Sequence, residues 1–490
     1  MKEKKNVLLI TIDSLRADHM SCLGYHRKTT PNIDRLAKEA TLFSQAIANA
    51  HNTRTSFPAI FSSTYPLMYK DSASNYFKPL SPLRVMIAEV LKEYGYSTAA
   101  FHSTPLLSQY YGYNRGFDFF KDHGATEFQE DKILKRLDMS CEDTTEVKIP
   151  KRSVKASLRR ILSKNKYMYK IASNVFHFLR NMIGKVTLPY EKAEIVTQEA
   201  LFWLYKHHNT NFFLWIHYMD VHSPYLPSKE YLQKFRSGNI SRKEMIRLCK
   251  WADMSLDPNT ISETDLRKLI DLYDATISYV DDNIKLLIDG LKEMDVYDET
   301  LIIITADHGE EFKEHGGFGH FAKLYDELIH IPLIIKVPML KGRVVEDIVQ
   351  HLDIAPTILD FLRIQKPRSY QGRSLIPLIK RYEGHEEKKE EGVISETLHN
   401  HGRIPIDGKG HRLISYRTRE WKFIYNEENN HCELYNLEDD PNETENIYKE
   451  EREMAKIFER KIMEHVKMEE RMHKAVEMLR IRKAIEKIRR

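Results

Sequence analysis

The chain has 490 residues, enough for one large α/β domain with appendages or for two domains. A hydrophobic share of 42%, a charged share of 30% and a net charge of +4 describe a soluble globular protein, and no run approaches the ~18 apolar residues of a membrane span. The four cysteines (Cys22, Cys141, Cys249, Cys432) are scattered without a C-x-x-C pair, which excludes a disulfide framework and a cysteine-ligated zinc site.

In chain order, MKEKK leads into VLLITI, a β-branched run that reads as a buried strand and stops at Asp13. The apolar run is too short for a signal peptide, and a cytoplasmic location follows as the default expectation. PNIDRLAKEA reads as a helix. HNTRTSFPAIFSSTYP (51–66) has the outline of a loop feeding a helix, with Pro58 suited to a first helical turn. LRVMIAEVLKEY is the next helix and STAAFH the next strand. After these comes an insertion, about 126–190. Its part from Lys151 to Tyr190 holds ten Lys/Arg and no Asp or Glu, alternating basic and apolar residues as a surface-lying amphipathic helix does. It predicts attraction to anionic headgroups or a polyanion, hence peripheral membrane contact, or else a solvated helical excursion. FFLWIH, a helix over 264–292, LIIITA and PLIIKV complete the alternation. From about 448 the pattern is helical with a basic end, a second candidate for polyanion contact or a tail that frays in solvent. Strands separated by helices predict a mostly parallel sheet flanked by helices, with ligands at the C-terminal strand ends.

Two strand ends carry chemistry. Asp13 follows VLLITI, and Asp307 with His308 follows LIIITA. Two carboxylates and an imidazole make a mixed oxygen/nitrogen site for a divalent cation. His308 opens a histidine- and glycine-rich loop, GEEFKEHGGFGH, that contains His315 and His320.

TADHGEEFKEHGGFGHFAKLYDELIHIPLIIKVP resembles the second metal-binding motif of the sulfatase family, within the alkaline phosphatase superfamily. NVLLITIDSLRADHMSCLGY with TTPNIDRLAKEA resembles the family's opening strand and first helix. IHYMDVHSPYLP looks like its central histidine motif. QHLDIAPTILDFLRI, YQGRSLIPLI, SYRTREWKFIY and ELYNLEDDPNETENI are similar to its later landmarks, in the family's order. The match spans about 5–125 and 190–447. It implies a sulfatase-like catalytic domain over 1–385, a smaller C-terminal α+β subdomain over 386–447 and a basic helical tail over 448–490.

The resemblance places 51–66 on the family's nucleophile loop, where sulfatases carry Cys-x-Pro-Ser-Arg and oxidise the cysteine to formylglycine. Counting back from Tyr65-Pro66, the cysteine position holds Thr53 and the serine position Ser56. Thr55 and Phe57 stand at the proline and arginine positions. No cysteine of this chain begins a Cys-x-Pro-x-Arg sequence, so formylglycine chemistry is excluded. Thr53 is the expected nucleophile and a further metal ligand, with Ser56 and Thr55 as fallbacks. A threonine ester lacks the second hydroxyl that expels sulfate from a formylglycine hydrate, so it must be opened by water or another acceptor. That route is ordinary for phosphoryl groups.

By the same resemblance His222 and His320 are expected to serve the leaving oxygen, and Ser56, His102 and Lys323 to bind the anionic group; Arg54, next to the nucleophile, is expected either to clamp an oxygen of that group or to point to solvent. His217, His315 and His330 are expected to be packed or surface residues. The family's Gly-Lys-Trp-His lysine is absent, with FHSTPLLSQYYG in its place, and the frequent adjacent aspartate pair is reduced to Ile12-Asp13. One divalent ion is implied: calcium by resemblance, with manganese, magnesium or zinc open. Three activities follow as expectations: a metal-dependent hydrolase of sulfate or phosphate esters, a transferase of phosphate-linked head groups near a membrane face, or a silent binder of polyanions. The substrate is an anionic ester, glycan-borne or lipid-linked, and no nucleic acid is expected. The sequence does not tell the oligomeric state.

Overall fold

A computed structural model describes residues 5–75, 77–123, 190–236, 239–253, 256–380, 391–403, 405 and 408–488, with side chains described as far as 478. These residues belong to the compact unit formed by Met1–Gln129 and Tyr190–Arg490. The basic stretch that predicted membrane contact lies, apart from Tyr190, outside the described residues.

The central strand is β1 (Asn6–Ile12), and every one of its residues is buried, as its continuous apolar run requires. The remaining strands of the large sheet are β2 (Thr41–Ile47), β3 (Ser97–Phe101), β4 (Phe119–Lys121), β5 (Phe212–Tyr218), β6 (Thr300–Ala306), β9 (His330–Lys336), β10 (Arg343–Val345) and β11 (Val349–Gln350). Their order is β10-β2-β9-β6-β1-β5-β3-β4, with β11 also on β2. Both neighbours of β1 run parallel to it. β9 pairs antiparallel with both β6 and β2, so the sheet is mixed, with one reversed strand in an otherwise parallel array. A two-stranded ribbon, β7 (Glu311–Phe312) and β8 (Phe318–Gly319), sits in the glycine-rich loop.

The helices that position the site are α1 (Pro31–Ala37), α2 (Thr53–Ser62), α3 (Ile87–Glu93), α4 (Ala193–His207), α5 (Glu263–Glu293) and α6 (Ile354–Phe361). α2 begins at Thr53, so Pro58 falls inside the helix and not in its first turn. The ring of Phe57 packs edge-on against Trp215 (5.5 Å) and His217 (5.2 Å), which seats α2 on the face of β5.

The C-terminal part is a four-stranded antiparallel meander, β12 (Val393–His399), β13 (His411–Arg417), β14 (Trp421–Asn426) and β15 (His431–Asn436). The tail forms the long helix α7 (Arg452–Ile488). Its first turns do not fray: Ala455, Phe458 and Ile462 are buried against Ile414, Phe423 and Leu434 of the meander. Further on, Val476 packs with Met68 and Tyr69 from the segment after α2. No helix among the described residues is long and apolar enough to cross a membrane.

Candidate active site

Ile12 pairs with Ala306 across β1 and β6, so the next residues, Asp13 and Asp307, leave the sheet at the same level. With His308 they form a fully buried group whose ligand atoms lie within 4.8 Å of one another. His308 Nε2 stands 3.7 Å from Asp13 Oδ1 and 3.6 Å from Asp307 Oδ2. The other ring nitrogen, Nδ1, is 2.8 Å from the Gly309 carbonyl. A carbonyl only accepts, so Nδ1 carries the proton and Nε2 presents a lone pair to the carboxylates. Asp307 Oδ1 accepts from the backbone N–H groups of Ser14 (3.2 Å) and His308 (3.0 Å), while its buried Oδ2 has no hydrogen-bond partner.

Two carboxylates and an imidazole lone pair that converge in a dry site have to be offset by a proton or by a cation among them. Two carboxylates, an imidazole nitrogen and a hydroxyl suit a divalent ion of borderline hardness. Burial, and then the neighbouring Asp13 charge, push the Asp307 carboxyl well above its ordinary range. Burial also works on Asp13, but the His222 charge and the His217 hydrogen bond outweigh it and hold that carboxyl below its ordinary range. For His308, burial and then His320 depress the pKa well below the usual imidazole value, so the ring is neutral and available as a ligand.

Thr53 joins this group. Its Oγ1 lies 3.2 Å from Asp13 Oδ2 and 3.3 Å from His308 Nε2. Asn52 caps α2, its side chain accepting from the Thr55 N–H at 3.2 Å, and so places Thr53 in the first turn, where free N–H groups favour an anion. The two fallback hydroxyls are spent locally: Thr55 Oγ1 donates to the Asn52 carbonyl (3.1 Å) and Ser56 Oγ to the Ala50 carbonyl (3.1 Å).

Two histidines border the group. The His320 ring centroid is 4.4 Å from that of His308, and His222 is 5.2 Å from His320. His320 Nδ1 faces Glu310 Oε1 at 3.2 Å, and Glu310 Oε2 accepts from the Tyr225 hydroxyl at 3.0 Å. Burial opposes protonation of His320, but the Glu310 carboxylate wins and raises its pKa above the usual value.

Three other expected anion binders have protein partners of their own. Arg54 is buried and donates from Nη1 to the Ser72 carbonyl (2.8 Å). Lys323 gives its ammonium to both Glu311 oxygens (2.7 Å each) and to the His315 carbonyl (2.9 Å), which fastens the glycine-rich loop. His102 is fully buried with its ring stacked on Trp215 at 5.2 Å, and burial pushes its pKa well below the usual value.

Four residues that reach the site carry no signal in the motifs. His217 sits within β5, pairs in register with Thr11, and places Nε2 3.3 Å from Asp13 Oδ2. It therefore belongs to the site, contrary to its expected place among packed histidines. Trp215 Nε1 donates to Thr11 Oγ1 (3.0 Å), which leaves the threonine hydroxyl to donate to His217 Nδ1 (2.9 Å) and the His217 Nε2–H to donate to Asp13. Ser14, with φ 57, turns back so that its hydroxyl donates to Asp13 Oδ1 at 2.8 Å and its N–H to Asp307. The residue beside Asp13 that serves the cluster is thus Ser14, not Ile12, which lies in the core. Glu310 and His51 are the others; burial, then His320 and Arg54, bring the His51 pKa down to about 3.

Comparison with known proteins places this geometry. Residues 5–364 match the family model described as Sulfatase, and 314–473 match that of the N-sulphoglucosamine sulphohydrolase C-terminal region. An N-acetylglucosamine-6-O-sulfatase of Bacteroides thetaiotaomicron is 24% identical, over 93% of this chain and 86% of its own. Arylsulfatase K of Bos taurus is 23% identical over 93% of this chain and 81% of its own. Among solved structures, the phosphonate monoester hydrolase of Agrobacterium radiobacter shares the fold at a TM-score of 0.68 and 18% identity, covering 95% of this chain and 96% of that one. A protein solved with its substrate D-glucosamine-2-N,6-O-disulfate superimposes at a TM-score of 0.67 and 19% identity, with 96% and 97% covered. The Sulfatase model spans most of the chain and both halves of the buried cluster, and the chain belongs to the Sulfatase family.

Proposed function

We propose that the chain is a divalent-metal-dependent hydrolase of sulfate or phosphate monoesters with Thr53 as its unmodified nucleophile. The observation that carries this reading is the position of Thr53 Oγ1 between Asp13 and His308, at the start of a helix. Family membership supports the ester class. The relatives named as sulfatases and phosphonate monoester hydrolases support either a sulfuryl or a phosphoryl centre, and the glucosamine disulfate bound by one fold neighbour supports an anionic glycan ester.

Asp13, Asp307, His308 and Thr53 would hold the ion. A single imidazole with two carboxylates suits manganese or zinc better than magnesium or calcium, hard cations that prefer an all-oxygen shell. When bound, the cation supplies positive charge to the ester oxygens and to the attacking hydroxyl. Asp13 accepts the Thr53 proton and directs an oxygen lone pair outward. As Thr53 Oγ1 bonds to the sulfur or phosphorus, the bond to the leaving oxygen breaks, and His320, protonated through Glu310, gives that oxygen a proton. Water then attacks the same centre and loses a proton to His320, and as the bond to Thr53 Oγ1 breaks Asp13 returns its proton to that oxygen. His222 stands beside His320 and adds positive charge at the leaving side.

Trapping tests the reading. A slow monoester is turned over, the chain digested, and the peptide spanning 51–66 weighed. An adduct on Thr53 is the expected result; an adduct on Ser56, or none while turnover continues, overturns it.

A further inference from the structure

A second set of charged groups converges outside the cluster. The segment that follows α2, strand β13 and helix α7 enclose a cavity of about 260 Å³ lined by Lys70, Ser74, Lys78, Arg412, Glu427 and His473, among others. Lys70 and Lys78 have no carboxylate partner among the described residues; the Lys78 ammonium donates only to the Lys70 carbonyl, at 3.4 Å. The single acid of the lining, Glu427, is engaged by the Arg412 backbone N–H at 2.8 Å. The Arg412 guanidinium is fixed from behind by Glu469 at 2.6 Å, which leaves further N–H groups on the cavity side of a planar fork. His473 donates Nε2–H to the Leu67 carbonyl at 3.0 Å, so its Nδ1 carries no proton in the neutral ring.

Two lysines without a carboxylate partner among the described residues repel each other beside the outer N–H groups of Arg412, whose charge is shared with Glu469, and in a recess partly screened from water the resulting potential favours an anion. The cavity is distinct from the metal cluster. Lys70 lies beyond the C-terminal end of α2, and the ten residues of that helix put about 15 Å between its ends, Thr53 being at the other. It is nonetheless tied to the cluster side, because Arg54 in the first turn of α2 bonds the Ser72 carbonyl two residues before Ser74.

We propose that this cavity is a second anion-binding site, which takes a sulfate, phosphate or carboxylate group on Lys70, Lys78 and Arg412. The group is either a free anion or a charge carried by a longer polyanion.

The test is calorimetric titration of the whole chain with inorganic sulfate, in the wild type, in Lys70→Gln/Lys78→Gln and in Asp307→Ala. One binding event is expected to persist in Asp307→Ala and to weaken at least about tenfold in the double variant, the scale of one or two lost charge-assisted hydrogen bonds. Both lysines are exposed, so their neutralisation leaves the fold intact. Equal affinity in wild type and double variant overturns the proposal, as does loss of all sulfate binding in Asp307→Ala. A sulfated tetrasaccharide separates the sources. Tighter binding than inorganic sulfate, lost in the double variant, assigns the site to a polyanion; affinity equal to that of sulfate assigns it to the free ion. The readout is binding and needs no turnover, so failure of the proposed ester chemistry leaves it standing.

Discussion

The group at Asp13, Asp307 and His308 and the group at Glu396, His465 and Glu469 have one composition and different cationic partners. Each is a buried pair of carboxylates with a histidine, its ligand atoms within 4.8 Å. In the second, His465 Nε2 meets Glu396 Oε2 at 2.9 Å, Arg412 meets Glu469 Oε2 at 2.6 Å, and the Leu67 N–H reaches Glu396 Oε1 at 2.9 Å. Burial, then the Glu396 charge, push the Glu469 carboxyl well above its ordinary range, as burial and Asp13 do to Asp307, and Glu469 Oε1 has no hydrogen-bond partner. In the first, among the described residues, neither Asp13 nor Asp307 pairs with a lysine or arginine, and Asp307 Oδ2 is left without a partner. The difference is a fixed guanidinium: Arg412 serves the second triad, and the first has none, which is the charge the proposed ion would supply. The second is a clamp that fastens α7 to the meander.

The largest effect that sharpens this contrast is expected at Thr53. Thr53→Ala is expected to lose at least about a thousandfold in turnover with the melting curve unchanged, the scale of a deleted nucleophile. Thr53→Ser keeps partial activity, since the hydroxyl stays and only the methyl that limits its rotamers is gone. Elemental analysis addresses the two triads directly. One divalent ion per chain is expected in the wild type and in Glu469→Gln, and none in Asp307→Ala. An ion retained in Asp307→Ala but lost in Glu469→Gln would exchange the two assignments.

The cluster was legible because its members announce themselves along one line of sequence. An aspartate ending a β-branched run lies at a strand's C-terminal end, and in a parallel array those ends converge. What escaped depends on relations between lines. His217 faces Asp13 only because β5 pairs with β1 in the register that sets it opposite Thr11, and Thr11 shares a face with Asp13 two residues on. Neither strand writes that register. β2 is absent from the predicted strands; Ser44 and Gln45 interrupt TLFSQAI, and its register shift falls there, between Phe43 and Ala46. The reversal of β9 has no local signal, since an apolar run is the same in either direction. Arg54, Lys323 and His102 were legible as basic residues near the loop motifs. Their engagement with Ser72, Glu311 and Trp215 follows from packing that composition does not encode.

The third effect is on stability. Arg412→Met removes the charge that Glu469 leans on and is expected to cost about 3 kcal/mol in urea unfolding, with metal content unaltered. Arg412→Met/Glu469→Leu is expected to recover most of that loss, because replacing a buried pair by apolar side chains removes the desolvation cost along with the attraction. A double variant as unstable as the single one would mean that α7 is held by something other than this clamp.

The smallest effect is a displacement of the pH profile, and it bears on what lies beside the open triad. The His320 pKa is raised above 6.5 because Glu310, 3.2 Å from Nδ1, outweighs burial. Its protonated form therefore persists to higher pH than that of a free imidazole and is lost as pH rises through the raised value. If this imidazolium protonates the leaving oxygen, kcat/KM is full below that value and falls above it. Glu310→Gln deletes the charge and keeps the shape, and its amide oxygen still accepts from the Tyr225 hydroxyl. Burial then acts with that opposition removed, and the alkaline limb is expected to move toward lower pH. The acid limb stays where it is, because Glu310 has no hydrogen bond to Thr53 or Asp13. A profile whose alkaline limb stays in place, with turnover merely scaled down, would remove His320 from the proton path. It would leave Glu310 as a support for the loop, and the proton would have to come from His222 or from water.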